Sequence, residues 1–257
     1  MNLLFVLATL MSSSPSFAKI QTQVVQYQSA DGATLEGYLA YDDAAKTPQP
    51  GILIVHDWMG LGDFFKKKAE EVAKMGYVAF AADIYGKGQR PKDAKEAAEF
   101  AGKYKGNVPL LRQRVEAAFA QLTNNKMVIP GKVVSAGYCF GGTTVLELAR
   151  AGAPVAGTVT FHGGLSTPHP EDAKNIKGPL LVMHGADDPY VNAAEVAAFK
   201  KEMASAKVPM TFIAYPGAVH AFTIPMAGND NSKGAAYNAA ADKKSWQEFK
   251  KFLSKTL

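Results

Sequence analysis

Two unbroken apolar runs organise the first third of the chain: Gly51-Ile52-Leu53-Ile54-Val55-His56 and Tyr77-Val78-Ala79-Phe80-Ala81-Ala82. A strand with one wet face alternates apolar and polar residues, so a run without alternation marks a strand covered on both sides. Related runs recur at residues 132–137, 155–162, 179–184 and 210–215. Between them apolar residues fall at helical spacing over 64–75, 108–122, 142–151 and 193–206, and a Lys-studded helix closes the chain over 235–257. Gly76 provides a stop for the first of these helices. Strands alternating with helices predict an α/β fold, a mainly parallel central sheet with helices on both faces. Residues 21–28 and 35–40 read as strands joined by Ser29-Ala30-Asp31-Gly32, which adds an N-terminal antiparallel hairpin. Residues 86–107 are polar, Lys-rich and partly helical, an excursion from the core. No linker or internal repeat divides residues 19–257, which predicts a single domain.

Composition narrows the class. With 257 residues, 47% apolar and 20% charged, the chain has the makeup of a globular protein able to bury a substantial core. The net charge of +5 rests on scattered lysines with only four arginines, which describes a solvated surface and argues against a nucleic-acid partner. Residues 3–11 form an apolar run too short to span a bilayer, followed by Ser12-Ser13-Ser14-Pro15 and the small-x-small pattern Ser16-Phe17-Ala18. This predicts a signal peptide, residues 1–18, cleaved after Ala18, with export to the periplasm. No later stretch reaches membrane-spanning length.

In an open parallel sheet, chemistry gathers beyond the carboxyl ends of the strands. There, Gly137-Tyr138-Cys139-Phe140-Gly141-Gly142 lies between a strand and a helix and holds the chain's single cysteine. This is a G-x-nucleophile-x-G elbow with cysteine in the serine position: glycines allow a tight turn, and the helix N-terminus favours a thiolate. After a later strand comes His184-Gly185-Ala186-Asp187-Asp188-Pro189, in which one carboxylate serves the turn; after the last strand, His220 lies in a loop. The order Cys139…Asp188…His220 places nucleophile, acid and base in the chain order of the α/β-hydrolases. The amides of Phe140 and Trp58 are the expected oxyanion donors. His56 and Asp57 lack the spaced partners of a metal site, and neither a phosphate loop nor a dinucleotide fingerprint occurs, so no metal and no cofactor are expected. His162, His169 and His184 have no assignable role; His162 and His184 end strands.

These segments, together with His56-Asp57-Trp58-Met59-Gly60 and Gly217-Ala218-Val219-His220-Ala221-Phe222, resemble the dienelactone hydrolase family of α/β-hydrolases over most of residues 19–257. The resemblance implies hydrolysis of a small carboxylic ester or lactone through a Cys139–His220–Asp188 triad and a thioester acyl-enzyme. In that family an acid in the first loop, a glutamate, contacts the resting cysteine and helps to activate it. The matching residue here is Asp57, one methylene shorter. The family also grips its substrate's carboxylate with two arginines, where this chain has Ile224 and, at best, Lys87. Tyr85, Lys87, Phe161 and Phe222, beside Trp58, are the expected pocket residues. Two other classes stay open on sequence: a thiol amidase, chaperone or redox sensor of the glutamine-amidotransferase-like group, and a non-catalytic binding module on the same fold. A wide separation of Asp188 and His220 from Cys139 would favour the first.

Overall fold

The computed structural model describes residues 19–257; the expected signal peptide, residues 1–18, lies outside the described residues. The strands are β1 (Ile20–Gln28), β2 (Thr34–Asp42), β3 (Gln49–Val55), β4 (Val78–Ala82), β5 (Val128–Tyr138), β6 (Gly157–Phe161), β7 (Leu180–Gly185) and β8 (Met210–Tyr215). They form one sheet in the order β1-β2-β4-β3-β5-β6-β7-β8. β1 pairs antiparallel with β2, and β2 antiparallel with β4. From β4 to β8 every pairing is parallel. Every residue of β4, β6 and β7 is buried; β4 is apolar throughout, as a doubly covered strand requires, while β6 buries Thr158 and Thr160 and β7 buries His184.

The helices divide between the two faces. α1 (Asp63–Ala73) and α6 (Ala239–Thr256) cover one face with Phe65, Val72, Phe249 and Leu253. α2 (Ala94–Lys105), α3 (Val108–Thr123) and α4 (Phe140–Arg150) cover the other with Tyr104, Leu111, Phe119 and Leu148. α5 (Ala193–Ser205) adds Phe199 and Met203 to a satellite cluster with Leu146 and Val182. Each such side chain taken fully from water contributes roughly 1.5–3 kcal/mol.

α4, which starts beside Cys139, is buried along its whole length. Its charged residues are accordingly paired. The fully buried Arg150 meets Glu202 at 2.8 Å and Glu147 at 3.0 Å, and donates to the Leu165 carbonyl at 2.9 Å. Glu147 also meets Arg112 at 2.7 Å, and Arg112 reaches Asp172 at 2.8 Å. The network locks α3, α4 and α5 together behind the elbow.

Boundaries shift from the sequence reading by up to four residues, and three differences have a clear physical cause. β5 starts at Val128 rather than residue 132, because a register shift against β3 absorbs Pro130 and Gly131, the latter at φ 74°. α4 starts at Phe140 rather than residue 142, since Cys139 itself caps it. Residues 86–107 contain a full helix, α2, whose first turn is capped by the Asp93 carboxylate accepting from the Glu96 N–H at 2.9 Å.

Candidate active site

Parallel strands bring the segments after β3, β5, β6, β7 and β8 to one edge of the sheet. Cys139 stands there at φ 53°, in the left-handed region, at a cost of about 1–3 kcal/mol for a residue with a Cβ. Its glycine neighbours allow the turn. A Cβ on Gly137 would strike the Gly141 carbonyl, one on Gly141 the Val55 and His56 carbonyls, and one on Gly142 the Cα of Gly163. Strand, turn and helix thus meet backbone to backbone. The Cys139 N–H donates to the Phe161 carbonyl at 3.0 Å, which ties the elbow to the end of β6.

The structure brings the three distant residues together. His220 Nε2 lies 3.1 Å from Cys139 Sγ, and its Nδ1 lies 2.7 Å from Asp188 Oδ2. The other Asp188 oxygen accepts from the Tyr190 N–H at 2.8 Å and the Val191 N–H at 3.2 Å, fixing the carboxylate plane. Asp187 is the turn former: it is exposed and accepts from the Gly217 N–H at 3.1 Å. Burial works against a charged His220, but the Cys139 thiolate and the Asp188 carboxylate outweigh it and raise its pKa to about 10. Cys139 is half-buried, so its sulfur is neither sealed in the core nor fully open. The wide separation that an amidotransferase-like arrangement would show is not found.

The loop after β3 is organised by buried polar contacts. His56 is fully buried, with Nδ1 2.6 Å from the Asp57 carbonyl and Nε2 accepting from the Ile84 N–H at 3.2 Å. Burial lowers its pKa to about 4, and with both ring nitrogens engaged it ties β3 to β4. Asp57 accepts from the Met59 N–H at 2.8 Å, and among the described residues it makes no hydrogen bond to Cys139. Burial raises its pKa to about 6, opposed by the Met59 amide and by the positive His220. The amides of Trp58 and Phe140 make no hydrogen bond among the described residues. Phe140 is the first residue of α4, where N–H groups have no partner within the helix.

Several expected pocket residues have other places. Phe161 is core: it stacks on Tyr138 at 4.3 Å and is 1% exposed. Phe222 is also core, packed on His162 and Tyr215 and closed to solvent. Phe161 is the last residue of β6 and Phe222 lies in the loop after β8, both closed to solvent, so neither offers a surface to a ligand. Tyr85 is buried behind the β3 loop, with its hydroxyl donating to the Trp58 carbonyl at 3.0 Å and its ring stacked on Tyr104. Lys87 is exposed. Ile224 is buried in the core.

Tyr190 was missed on sequence. Its exposed ring stands 5.5 Å from the His220 ring. His162, left without a role, lies fully buried 5.4 Å from His220, with Nε2 2.7 Å from Thr223 Oγ1. The sequence signal for His162 is its place at a strand end; its partner Thr223 lies three residues after His220. His184 is buried near Phe212, and His169 is exposed beside Glu171. A cleft of about 380 Å³ lined by Tyr41, Asp42, Gln49 and Tyr77 opens at the N-terminal ends of β3 and β4, the opposite edge from Cys139.

The sheet order, the elbow and the residues after β7 and β8 define an α/β-hydrolase fold. Within that class the chain belongs to the Dienelactone hydrolase family, whose profile matches residues 35–257. It is 26% identical to a Saccharolobus solfataricus protein named "Putative carboxymethylenebutenolidase", over 88% of this chain and 96% of that one. Among solved structures, m3DLH superposes with a TM-score of 0.89 at 32% identity, covering 93% of this chain and 99% of that one. A metagenomic protein, P91, described as a dienelactone hydrolase-like promiscuous phosphotriesterase, gives a TM-score of 0.87 at 36% identity, with 93% and 99% covered. Family membership makes this chain a hydrolase of carboxylic esters or lactones. Among the described residues no helix is long and apolar enough to cross a membrane.

Proposed function

We propose that the protein hydrolyses small, neutral carboxylic esters or lactones with Cys139 as nucleophile, His220 as general base and acid, and Asp188 as its orienting carboxylate. The observation that carries this reading is the unbroken line of contacts, Sγ to Nε2 at 3.1 Å and Nδ1 to carboxylate at 2.7 Å. The thiolate attacks the carbonyl carbon, and the oxyanion forms toward the Trp58 and Phe140 amides. Collapse breaks the carbon–oxygen bond of the ester, and His220 delivers its proton to the departing alkoxide. His220 then takes a proton from water, whose oxygen attacks the thioester. The acid leaves and the thiolate–imidazolium pair is restored.

A neutral substrate is supported by how the arginines are used. Arg90 pairs with Asp83 at 3.3 Å, Arg112 with Glu147 at 2.7 Å, Arg114 with Asp31 at 2.7 Å and Arg150 with Glu202 at 2.8 Å. Each of the four guanidinium groups is thus already paired with a carboxylate, which disfavours its forking a substrate carboxylate as well.

Cys139→Ala, assayed on a p-nitrophenyl ester, is expected to lose at least ~10³-fold in kcat. Mass spectrometry of the quenched wild-type protein should show the acyl group on Cys139. Undiminished turnover by the Ala variant would remove the assignment. Export follows from residues 1–18, and an intact mass starting at Lys19 in the native protein is the corresponding check.

A further inference from the structure

We propose that His162 is a positioning residue that clamps the loop carrying His220 to the end of the sheet, and so sets the gap between that imidazole and the Cys139 sulfur. The inference rests on Cys139 and His220 being nucleophile and base.

His162 directly follows β6 and has φ 42°, a left-handed conformation unfavourable for a residue with a Cβ. Its backbone is held on two sides. Its N–H donates to the Met183 carbonyl of β7 at 2.8 Å, and the carbonyl just before it, on Phe161, accepts from Cys139 at 3.0 Å. The turn is thus fixed to the same strand ends that fix the nucleophile. The side chain reaches the other way, to Thr223 Oγ1 at 2.7 Å. Among the described residues this is the one side-chain hydrogen bond that ties residues 221–224 to the sheet. The ring also meets the His220 ring edge-to-face at 5.4 Å and the Phe222 ring at 5.1 Å.

Packing alone does not account for a histidine here. The ring is closed to solvent and its Nδ1 has no partner among the described residues, an arrangement that a phenyl ring of similar size would avoid. What histidine supplies and phenylalanine lacks is the bond from Nε2 to Thr223. Burial and the neighbouring positive His220 both hold His162 neutral, so it supports that cation without repelling it. Before His220 the loop is tied to the end of β7 by the Asp187 N–H to the Ala218 carbonyl at 3.0 Å and the Gly217 N–H to the Asp187 carboxylate at 3.1 Å, and His220 itself meets Gly234 and Ala236 through its backbone at 3.2 and 3.0 Å. The His162–Thr223 bond supplies the side-chain tie on the far side of His220.

The test uses His162→Phe, Thr223→Val, the double variant and His162→Gln in the full-length enzyme, with Cys139→Ala alongside. Each is read by kcat and KM on a p-nitrophenyl ester, by the pH profile of iodoacetamide alkylation of Cys139, and by Tm. His162→Phe and Thr223→Val should each lower kcat about 10-fold with little change in KM, as a small misplacement of a reacting group does. Both should slow alkylation of Cys139 at neutral pH. The double variant should lose no more than either single one, because both remove the same bond. His162→Gln, whose amide can still meet Thr223, should recover part of kcat. Wild-type kcat and alkylation profile in Thr223→Val, or losses that multiply in the double variant, would overturn the proposal. Activity surviving in Cys139→Ala would instead remove the triad itself, whatever the His162 variants do.

Discussion

At the scale of single residues, the site works by placing charge where burial alone would forbid it. His220 keeps its proton up to a pH of about 10 because a thiolate and a carboxylate flank it. His220→Asn should therefore slow alkylation of Cys139 by iodoacetamide at neutral pH by at least ~10-fold, because the base that takes the thiol proton is gone. Asp57 shows the opposite effect: burial raises its pKa from 3.8 to about 6. The folded protein then holds this proton more tightly than the unfolded chain between those values. Its contribution is fully present below pH 3.8 and is lost as pH rises through 6. Asp57→Asn should accordingly raise stability by roughly 1–3 kcal/mol at pH 8 and by nearly nothing at pH 4, as measured by urea unfolding. The absence of an Asp57–Cys139 hydrogen bond among the described residues fits the shorter side chain and its use on the Met59 amide.

At the scale of elements, the elbow is a meeting of backbones, and its glycines differ in kind. Gly141 abuts the Val55 and His56 carbonyls, whereas Gly131 has φ 74° but open space around it. Gly141→Ala should cost more than about 4 kcal/mol or prevent folding, since strand and helix must separate. Gly131→Ala should cost only ~1 kcal/mol, the price of a left-handed backbone. Soluble yield and urea midpoints distinguish the two. Most elements were legible in the sequence because a doubly covered strand must be apolar throughout, as in β4. The start of β5 was not, because Pro130 and Gly131 read as a break while the sheet accommodates them by a register shift.

At the scale of the whole molecule, charges hidden between helices hold the rear of the site. Arg150→Met leaves Glu147 and Glu202 without their buried partner and should cost about 3–5 kcal/mol in urea unfolding. The same pairing consumes arginine, which bears on specificity. Neutral p-nitrophenyl esters should be cleaved at least ~10-fold better, in kcat/KM, than matched esters carrying a free carboxylate. Equal rates for both would overturn the preference for neutral substrates.

By itself the sequence determined most of the order of strands and helices, the elbow, and the choice of Cys139, Asp188 and His220 as candidates for chemistry, because periodicity and turn chemistry are local properties. Only the tertiary structure decided what those residues touch. It turned Phe161 and Phe222 inward, kept Asp57 off the sulfur, and set His162 behind His220. Such contacts join segments tens of residues apart, and their geometry depends on strand register and helix packing, which no local pattern encodes.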